Sequence, residues 1–261
     1  MENHFNLPKS FETVYEPYRM PVEHKNWLIL ADIHIPFHNI EALTTAIEWG
    51  RKNKVDAVLL NGDTLDFYRI SHFTTDILKI DFIQEIESSK AFLIALKKSL
   101  PKAKIYFKVG NHEERLENYL KLKAPELWGI TDFTLEKMLE FKKLKIEIIK
   151  DKRIVYLGKL PVLHGHEIKL GAGTVSPARS LALKIKCSGI VSHLHQSSQQ
   201  TETRLDGKIL STWSTGCLCE LHPEYCPVNR WGHGFINVKL DEVGNYDVTN
   251  FKIIKGKLYA S

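Results

Sequence analysis

Five short apolar runs in this chain each stop at residues that bind metal ions or move protons. The first is Trp27-Leu28-Ile29-Leu30-Ala31-Asp32-Ile33-His34-Ile35-Pro36. The others are residues 55–60 running into Asn61-Gly62-Asp63, and residues 105–109 running into Gly110-Asn111-His112-Glu113. Pro161-Val162-Leu163 then leads to His164-Gly165-His166, and Ile190-Val191 to Ser192-His193-Leu194-His195. Runs this short and apolar suit buried strands. In layered α/β proteins ligands gather outside the carboxyl ends of the strands, and all five motifs sit at such ends. In an extended strand residues i and i+2 face one side, so Asp32 and His34 are expected to present a carboxylate oxygen and an imidazole nitrogen to one point. Pro36 lacks a backbone donor and should end the ladder there.

Helical periodicity separates most of these runs. It marks residues 41–52 and 77–100, the latter closed by Pro101, and residues 114–122. Residues 124–143 read as a helical excursion capped at Asp132 or Thr134, and Ser176-Pro177 is an N-cap and N1 pair opening a helix to Lys186. Residues 145–149 and 154–157 alternate like strands. Residues 200–213 read as a hairpin about a type I′ turn at Asp206-Gly207. Alternating strands and helices imply an α/β layered fold. Residues 1–25 read as a polar, proline-broken N-terminal arm, with Phe5, Phe11, Tyr15 and Tyr18 as anchors, and residues 26–261 as one domain. At 261 residues and 43% hydrophobic content, one sizeable core is expected.

The net charge of +5 is compatible with a phosphate-bearing partner and too small to argue nucleic-acid binding by itself. None of the four cysteines forms a C-x-x-C pair, and residues 1–20 contain no apolar secretory core, so reduced thiols in a cytoplasmic protein are expected. No apolar stretch is long enough to span a membrane.

Taken singly, each motif has an ordinary reading, since strand-end aspartates and hydrogen-bonded histidines are common. Together they carry more than one metal's worth of ligands. Two divalent ions about 3.5–4 Å apart can clamp the attacking and leaving oxygens of a phosphoryl displacement. Such a pair needs a bridging carboxylate, and an aspartate after a tight glycine turn suits that role. The Asp, His and Asn donors favour manganese, iron, zinc or magnesium over an iron–sulfur or structural zinc centre.

The ordered set D-x-H, Gly62-Asp63-Thr64-Leu65-Asp66, G-N-H-E, H-G-H and H-x-H resembles the calcineurin-like metallophosphoesterase family across residues 27–216. The resemblance implies a four-layer αββα sandwich of two mixed β-sheets flanked by helices. It implies a phosphoesterase, acting on a phosphate mono- or diester through a dinuclear metal centre and a metal-bridging hydroxide. By the family pattern Asp32, His34 and His195 hold the first ion, Asp63 bridges, and Asn111, His164 and His193 hold the second. His112 sits beside the metals as the catalytic proton donor. Manganese is the expected ion, with iron, zinc, magnesium or nickel as alternatives. Two departures stand out: Ser192 replaces the glycine of G-H-x-H, and Ser214-Thr215-Gly216-Cys217 replaces the N-P-G-S turn.

Arg115, His166, Asp66 and His72 are candidates for substrate contact, with Asp66 alternatively orienting a ligand. Arg115 is equally readable as a salt-bridge partner. His38 reads as a loop residue. Cys217, Cys219, His222 and Cys226 match no standard zinc spacing and read as packed thiols. Trp231-Gly232-His233-Gly234 reads as a lip of the site or a tight turn. The partner is a phosphoester, and a nuclease acting on DNA or RNA is the alternative reading. A non-catalytic scaffold of the same fold is disfavoured because every ligand type is present.

Overall fold

The computed structural model describes residues 3–72, 76, 78–170 and 175–260. Its first half contains β1 (Tyr18–Arg19), β2 (Asn26–Leu30), α1 (Ile40–Lys52), β3 (Ala57–Asn61), α2 (Phe82–Ser99), β4 (Lys104–Lys108) and α3 (Glu114–Lys123). Then come α4 (Leu135–Met138), α5 (Phe141–Leu144), β5 (Glu147–Ile149), β6 (Val155–Leu157), β7 (Leu160–Val162), α6 (Pro177–Ile185) and β8 (Gly189–Val191). The chain closes with β9 (Ser198–Thr203), β10 (Ile209–Ser214), β11 (His233–Leu240), β12 (Tyr246–Ile254) and β13 (Lys257–Ala260). One sheet has the order β13-β12-β11-β2-β3-β4-β5 and the other β1-β6-β7-β8-β10-β9. Both are mixed: β2 to β5 run parallel while β11 joins β2 antiparallel, and β7, β8 and β10 run parallel while β9 is antiparallel.

The pleat of β2 divides the core. Trp27 and Ile29 point between the two sheets, where they meet Val155, Leu157, Val162 and Ile190. Leu28 and Leu30 point the other way, onto the helical layer that contributes Leu43, Ala46, Leu93 and Leu96. A smaller cluster, Leu163, Leu181 and Val191, packs α6 on the outer face of the second sheet. Both faces of the strand are covered, so it reads as an unbroken apolar run. The result is the expected sandwich of two mixed sheets with helices on its outer faces.

Local chemistry sets several boundaries. α2 begins at Phe82 because Asp81 and Gln84 form a reciprocal capping box; Ile77, the expected start, lies outside the described residues. Ser176 caps α6 through Arg179 N. The region 124–143 is two 3₁₀ turns followed by two single-turn helices, because Glu140 takes a left-handed backbone between them. Thr134 stands at the N-cap position of α4 but donates its hydroxyl to Thr131 O instead of capping. The 200–213 hairpin closes without a type I′ turn. That turn needs positive φ at both central residues, and here only Gly207 has it, at +78°. Arg204 O accepts from Gly207 N and Arg204 N donates to Lys208 O, so the loop is one residue wider than expected.

In the N-terminal arm, Phe5 and Phe11 are 86% and 96% exposed and anchor nothing. Tyr15 and Tyr18 do anchor it: the Tyr15 hydroxyl accepts from Ile154 N, and residues 18–19 pair with β6. No helix among the described residues is long and apolar enough to cross a membrane.

Candidate metal centre

The backbone of the first motif is not extended. β2 ends at Leu30, and Asp32 and His34 both take φ of +53°. Strand alternation therefore does not place this pair. Their placement comes from hydrogen bonds to the second motif: Asp32 N to Gly62 O, His34 N to Asp63 O and Ile35 N to Thr64 O. Asp63, His193 and His195 are also left-handed, at +52°, +67° and +57°. Left-handed backbone costs roughly 1–2 kcal/mol per non-glycine residue, and Asp and His tolerate it better than most. Five candidate ligands thus stand in strained loops just beyond the strand ends, a distribution typical of functional sites.

The ligand atoms converge. His34 Nε2 lies 3.3 Å from His195 Nε2, which lies 3.3 Å from Asp32 Oδ1. Asp63 Oδ2 lies 3.2 Å from His164 Nε2 and 4.0 Å from His193 Nδ1, and Asn111 Oδ1 is 3.2 Å from the same His164 nitrogen. The groups Asp63–His164–His193 and His34–Asp63–His112 each place three ligand atoms within 4.8 Å of one another. Geometry alone does not separate His112 from the ligands, and His34 and His112 stack edge to face at 4.4 Å.

The outer nitrogens settle the tautomers. His164 Nδ1 lies 2.7 Å from Asn61 O, a partner that can only accept, so Nδ1 carries the proton. His34 Nδ1 lies 3.1 Å from the Asp66 carboxylate. In each ring the Nε2 lone pair then faces inward. At His164 a neutral ring would turn that lone pair on the Asn111 oxygen and the Asp63 carboxylate, a set of acceptors that only a proton or a cation can join. Asp32 Oδ1 is fully buried and has no hydrogen-bond partner. Such a donor set needs positive charge at its centre, and hard or borderline divalent cations fit it.

The electrostatics agree. Burial pushes Asp63 up, but His164 and His112 outweigh it and hold the carboxyl well below its usual range. Burial pulls His164 and His195 down, yet the Asp63 and Asp32 carboxylates lift both to about 10. A field that favours an imidazolium there equally favours a metal cation.

Glycines allow the close approach. A Cβ on Gly62 would sit 2.4 Å from His164 Nδ1, and one on Gly110 2.3 Å from Asp63 Oδ1. Ser192 is tolerated where the family has glycine because its Oγ accepts from Asn61 Nδ2 at 2.9 Å.

Asp66 orients rather than faces outward: it touches His34 Nδ1, and its backbone oxygen lies 2.9 Å from His112 Nδ1. Arg115 donates to Asp66 O at 2.8 Å and lies 3.1 Å from His112 Nε2, so its guanidinium is used within the protein. His166 turns toward Glu114, with Nε2 3.3 Å from Oε1. His72 is exposed and belongs to none of the ligand groups found among the described residues.

Two buried acids escaped the sequence reading. Glu113 accepts from four backbone N–H groups, those of Asp63, Thr64, Leu65 and Gly110, and so ties the second motif to the third. Burial, then the Asp63 charge, pushes its pKa up to about 7. Glu167 accepts from His164 N and Gly165 N and pairs with Lys108. The signal for both was present in sequence as an acid closing each motif, G-N-H-E and H-G-H-E. Cys219 and Trp231 also border the site, at 3.8 Å from His195 Nδ1 and 4.2 Å between rings. Cys217 and Cys219 are buried, but His222 and Cys226 join them in no ligand group among the described residues.

Two mixed sheets flanked by helices, with Asp, Asn and His side chains gathered beyond the strand ends, have the architecture of the metallophosphoesterase fold. The calcineurin-like phosphoesterase family model matches residues 26–199, and the chain belongs to that family. The gene 54 protein of Mycobacterium phage L5 is 23% identical over 230 residues, 83% of this chain and 89% of that protein. Among solved structures, vacuolar protein sorting 29 from Cryptosporidium parvum superposes with a TM-score of 0.47 at 16% identity, covering 91% of this chain and 96% of that one. A dimetal phosphatase from Danio rerio gives 0.45 at 11% identity, covering 87% and 95%. The E. coli phosphoesterase Yfce gives 0.40 at 14% identity, covering 85% and 96%.

Proposed function

We propose that this chain is a metal-dependent phosphoesterase that hydrolyses a phosphate mono- or diester at a dinuclear centre. The observation that carries the reading is Asp63. Its carboxylate lies among His164, His193 and His112, and the group containing His34 shares it. A carboxylate common to two ligand groups is what a bridging role requires. Asp32, His34 and His195 would complete one position, and Asn111, His164 and His193 the other. Ions held there would supply Lewis-acid polarisation of the phosphoryl oxygens and activation of the attacking water.

The chain's own residues do the rest. Asp66 holds His34 in the tautomer that presents Nε2, and Asn61 O does the same for His164. His112 keeps Nδ1 on Asp66 O, and its Nε2 lies 3.8 Å from Asp63 Oδ2 and 3.1 Å from the Arg115 guanidinium, which must turn away when Nε2 carries a proton. Burial lowers its pKa, but the Asp63 and Asp66 charges raise it overall, so it can carry the proton that the leaving oxygen needs. Arg115, in contact with both His112 and Asp66, steadies that ring. His193 has the most exposed side chain of these ion-paired histidines, at 34%, and marks the side open to a substrate.

The test is a substrate panel with manganese: an aryl phosphate monoester, an aryl phosphodiester, single- and double-stranded DNA, and RNA. Turnover of a monoester or diester that disappears in Asp63→Ala supports the reading. Turnover confined to DNA or RNA selects the nuclease alternative. No hydrolysis of any member, with metal bound, would leave the non-catalytic scaffold.

A further inference from the structure

The C-x-C pair at Cys217 and Cys219 has no part in the chemistry above, yet the fold delivers it to a candidate ligand. We propose that Cys219 is a positioning residue for the metal centre. Its sulfur takes the Nδ1–H of His195 and so turns the Nε2 lone pair of that ring toward Asp32 and His34. The inference rests on the dinuclear reading of the site.

For His195 to offer Nε2 to a cation, the ring proton must sit on Nδ1, and a buried N–H needs an acceptor. His34 has the Asp66 carboxylate for this purpose and His164 has the Asn61 carbonyl. At His195 the atom in that place is Cys219 Sγ, at 3.8 Å from Nδ1, with the Cys217 thiol interacting with both the ring and Cys219. The sulfur and both candidate ligands His34 and His195 lie within 4.8 Å of one another. His195 and Cys219 are only 6% and 4% exposed, so bulk water does not supply the acceptor. A second observation points to a cation on the Nε2 side: Asp32 Oδ1, fully buried and without a hydrogen-bond partner, faces His195 Nε2 at 3.3 Å.

The sulfur is held, not loosely placed. Leu218 N donates to Asp32 O, so the residue between the two thiols is tied to the motif that carries the other ligands. Cys217 N donates to Gly232 O, Gly232 N to His195 O, and His233 Nε2 lies 2.9 Å from Cys219 O. Trp231 closes the remaining side of the imidazole with an edge contact at 4.2 Å. Segments 217–219 and 231–233 therefore form a cradle around one ring. A thiol is a weaker and longer-range acceptor than a carboxylate, so this design grips the His195 position less firmly than Asp66 grips His34.

The experiment uses the full chain, cobalt(II) as the probe, equilibrium dialysis and near-ultraviolet absorption. Cys219→Ala is expected to weaken one bound ion about 10–100-fold while the other keeps its affinity within about twofold. Cys219→Ser, whose hydroxyl can accept the same hydrogen bond, is expected to recover most of the loss. Wild type should show no sulfur-to-cobalt charge-transfer band, and all three metal-free chains should melt together in chelator. Unchanged cobalt affinity in Cys219→Ala, or a serine variant as weak as the alanine one, would overturn the proposal. So would a charge-transfer band in wild type that Cys219→Ala removes, since the sulfur would then be a ligand itself. Asp63→Ala is the separate control. If wild type binds no cobalt, or Asp63→Ala binds it as well as wild type, the metal-site reading falls and takes this proposal with it.

Discussion

Removing the ammonium of Lys108 tests how the fourth motif is held. Lys108 and Glu167 are 1% and 5% exposed at their side chains, with Nζ 2.5 Å from Oε1. Burial pushes the Glu167 carboxyl up, but Lys108 holds it down at about 2. Burial lowers the Lys108 ammonium more than Glu167 raises it, so the lysine bears the cost of the pair. Lys108→Met leaves Glu167 buried without its ammonium partner, with His164 N and Gly165 N still donating to it and His166 Nδ1 3.8 Å from Oε2. Breaking one side of a buried pair costs about 3–5 kcal/mol. The depression of Glu167 from 4.5 to about 2, to which His166 and His164 add after Lys108, corresponds to about 3 kcal/mol.

The sign follows from linkage. A carboxyl with a depressed folded pKa stabilises above its unfolded value of 4.5, and that contribution is lost as pH falls through about 2. The gap between wild type and Lys108→Met should therefore be largest above pH about 4.5 and shrink toward pH about 2. Urea unfolding in chelator at a series of pH values measures it. A cost below about 1 kcal/mol at neutral pH, or a gap that does not change with pH, would refute the argument. Lys108→Met/Glu167→Gln, which removes both charges, should be less destabilised than the single variant.

Other expectations are direct. Asp63→Ala and Asn111→Ala should lose bound metal and hydrolysis together. His112→Ala should keep metal and lose about 10²–10⁴ in kcat, and an emptied site on metal analysis would make His112 a ligand instead. Gly62→Ala puts a methyl 2.4 Å from His164 Nδ1 at a φ of +87°, so metal affinity measured by dialysis should collapse even if the chain folds. Glu85 is buried beneath the Phe67 and Tyr68 N–H groups, and burial lifts its pKa from 4.5 to about 7. It binds its proton more tightly folded than unfolded, so metal-free stability should fall by up to about 3 kcal/mol as pH rises from 4.5 to 7. Glu85→Gln should fall less steeply than wild type in urea titrations, keeping only the share that Glu113 contributes in the same window, and parallel curves would refute it.

Much of this centre is legible in one dimension. The apolar runs, their glycines and the Asp, Asn and His residues that end them are local features. Short buried strands must be apolar on both faces, and a strand end is where the chain is free to change chemistry. The layered fold follows from the same alternation of runs and helical periods. What the sequence could not disclose are the pairings made across the molecule. Asp32 and His34 reach the site through a left-handed loop bonded to residues 62–64, not through strand alternation. Glu113 and Glu167 look like surface acids until the backbone N–H groups they collect are brought to them. Cys219 and Trp231 meet His195 only because β11 lies beside β2. Periodicity reports which face a side chain takes relative to its own strand. Which distant donor meets which acceptor is decided by packing, where each buried polar group must find a partner and the partner can come from anywhere in the chain.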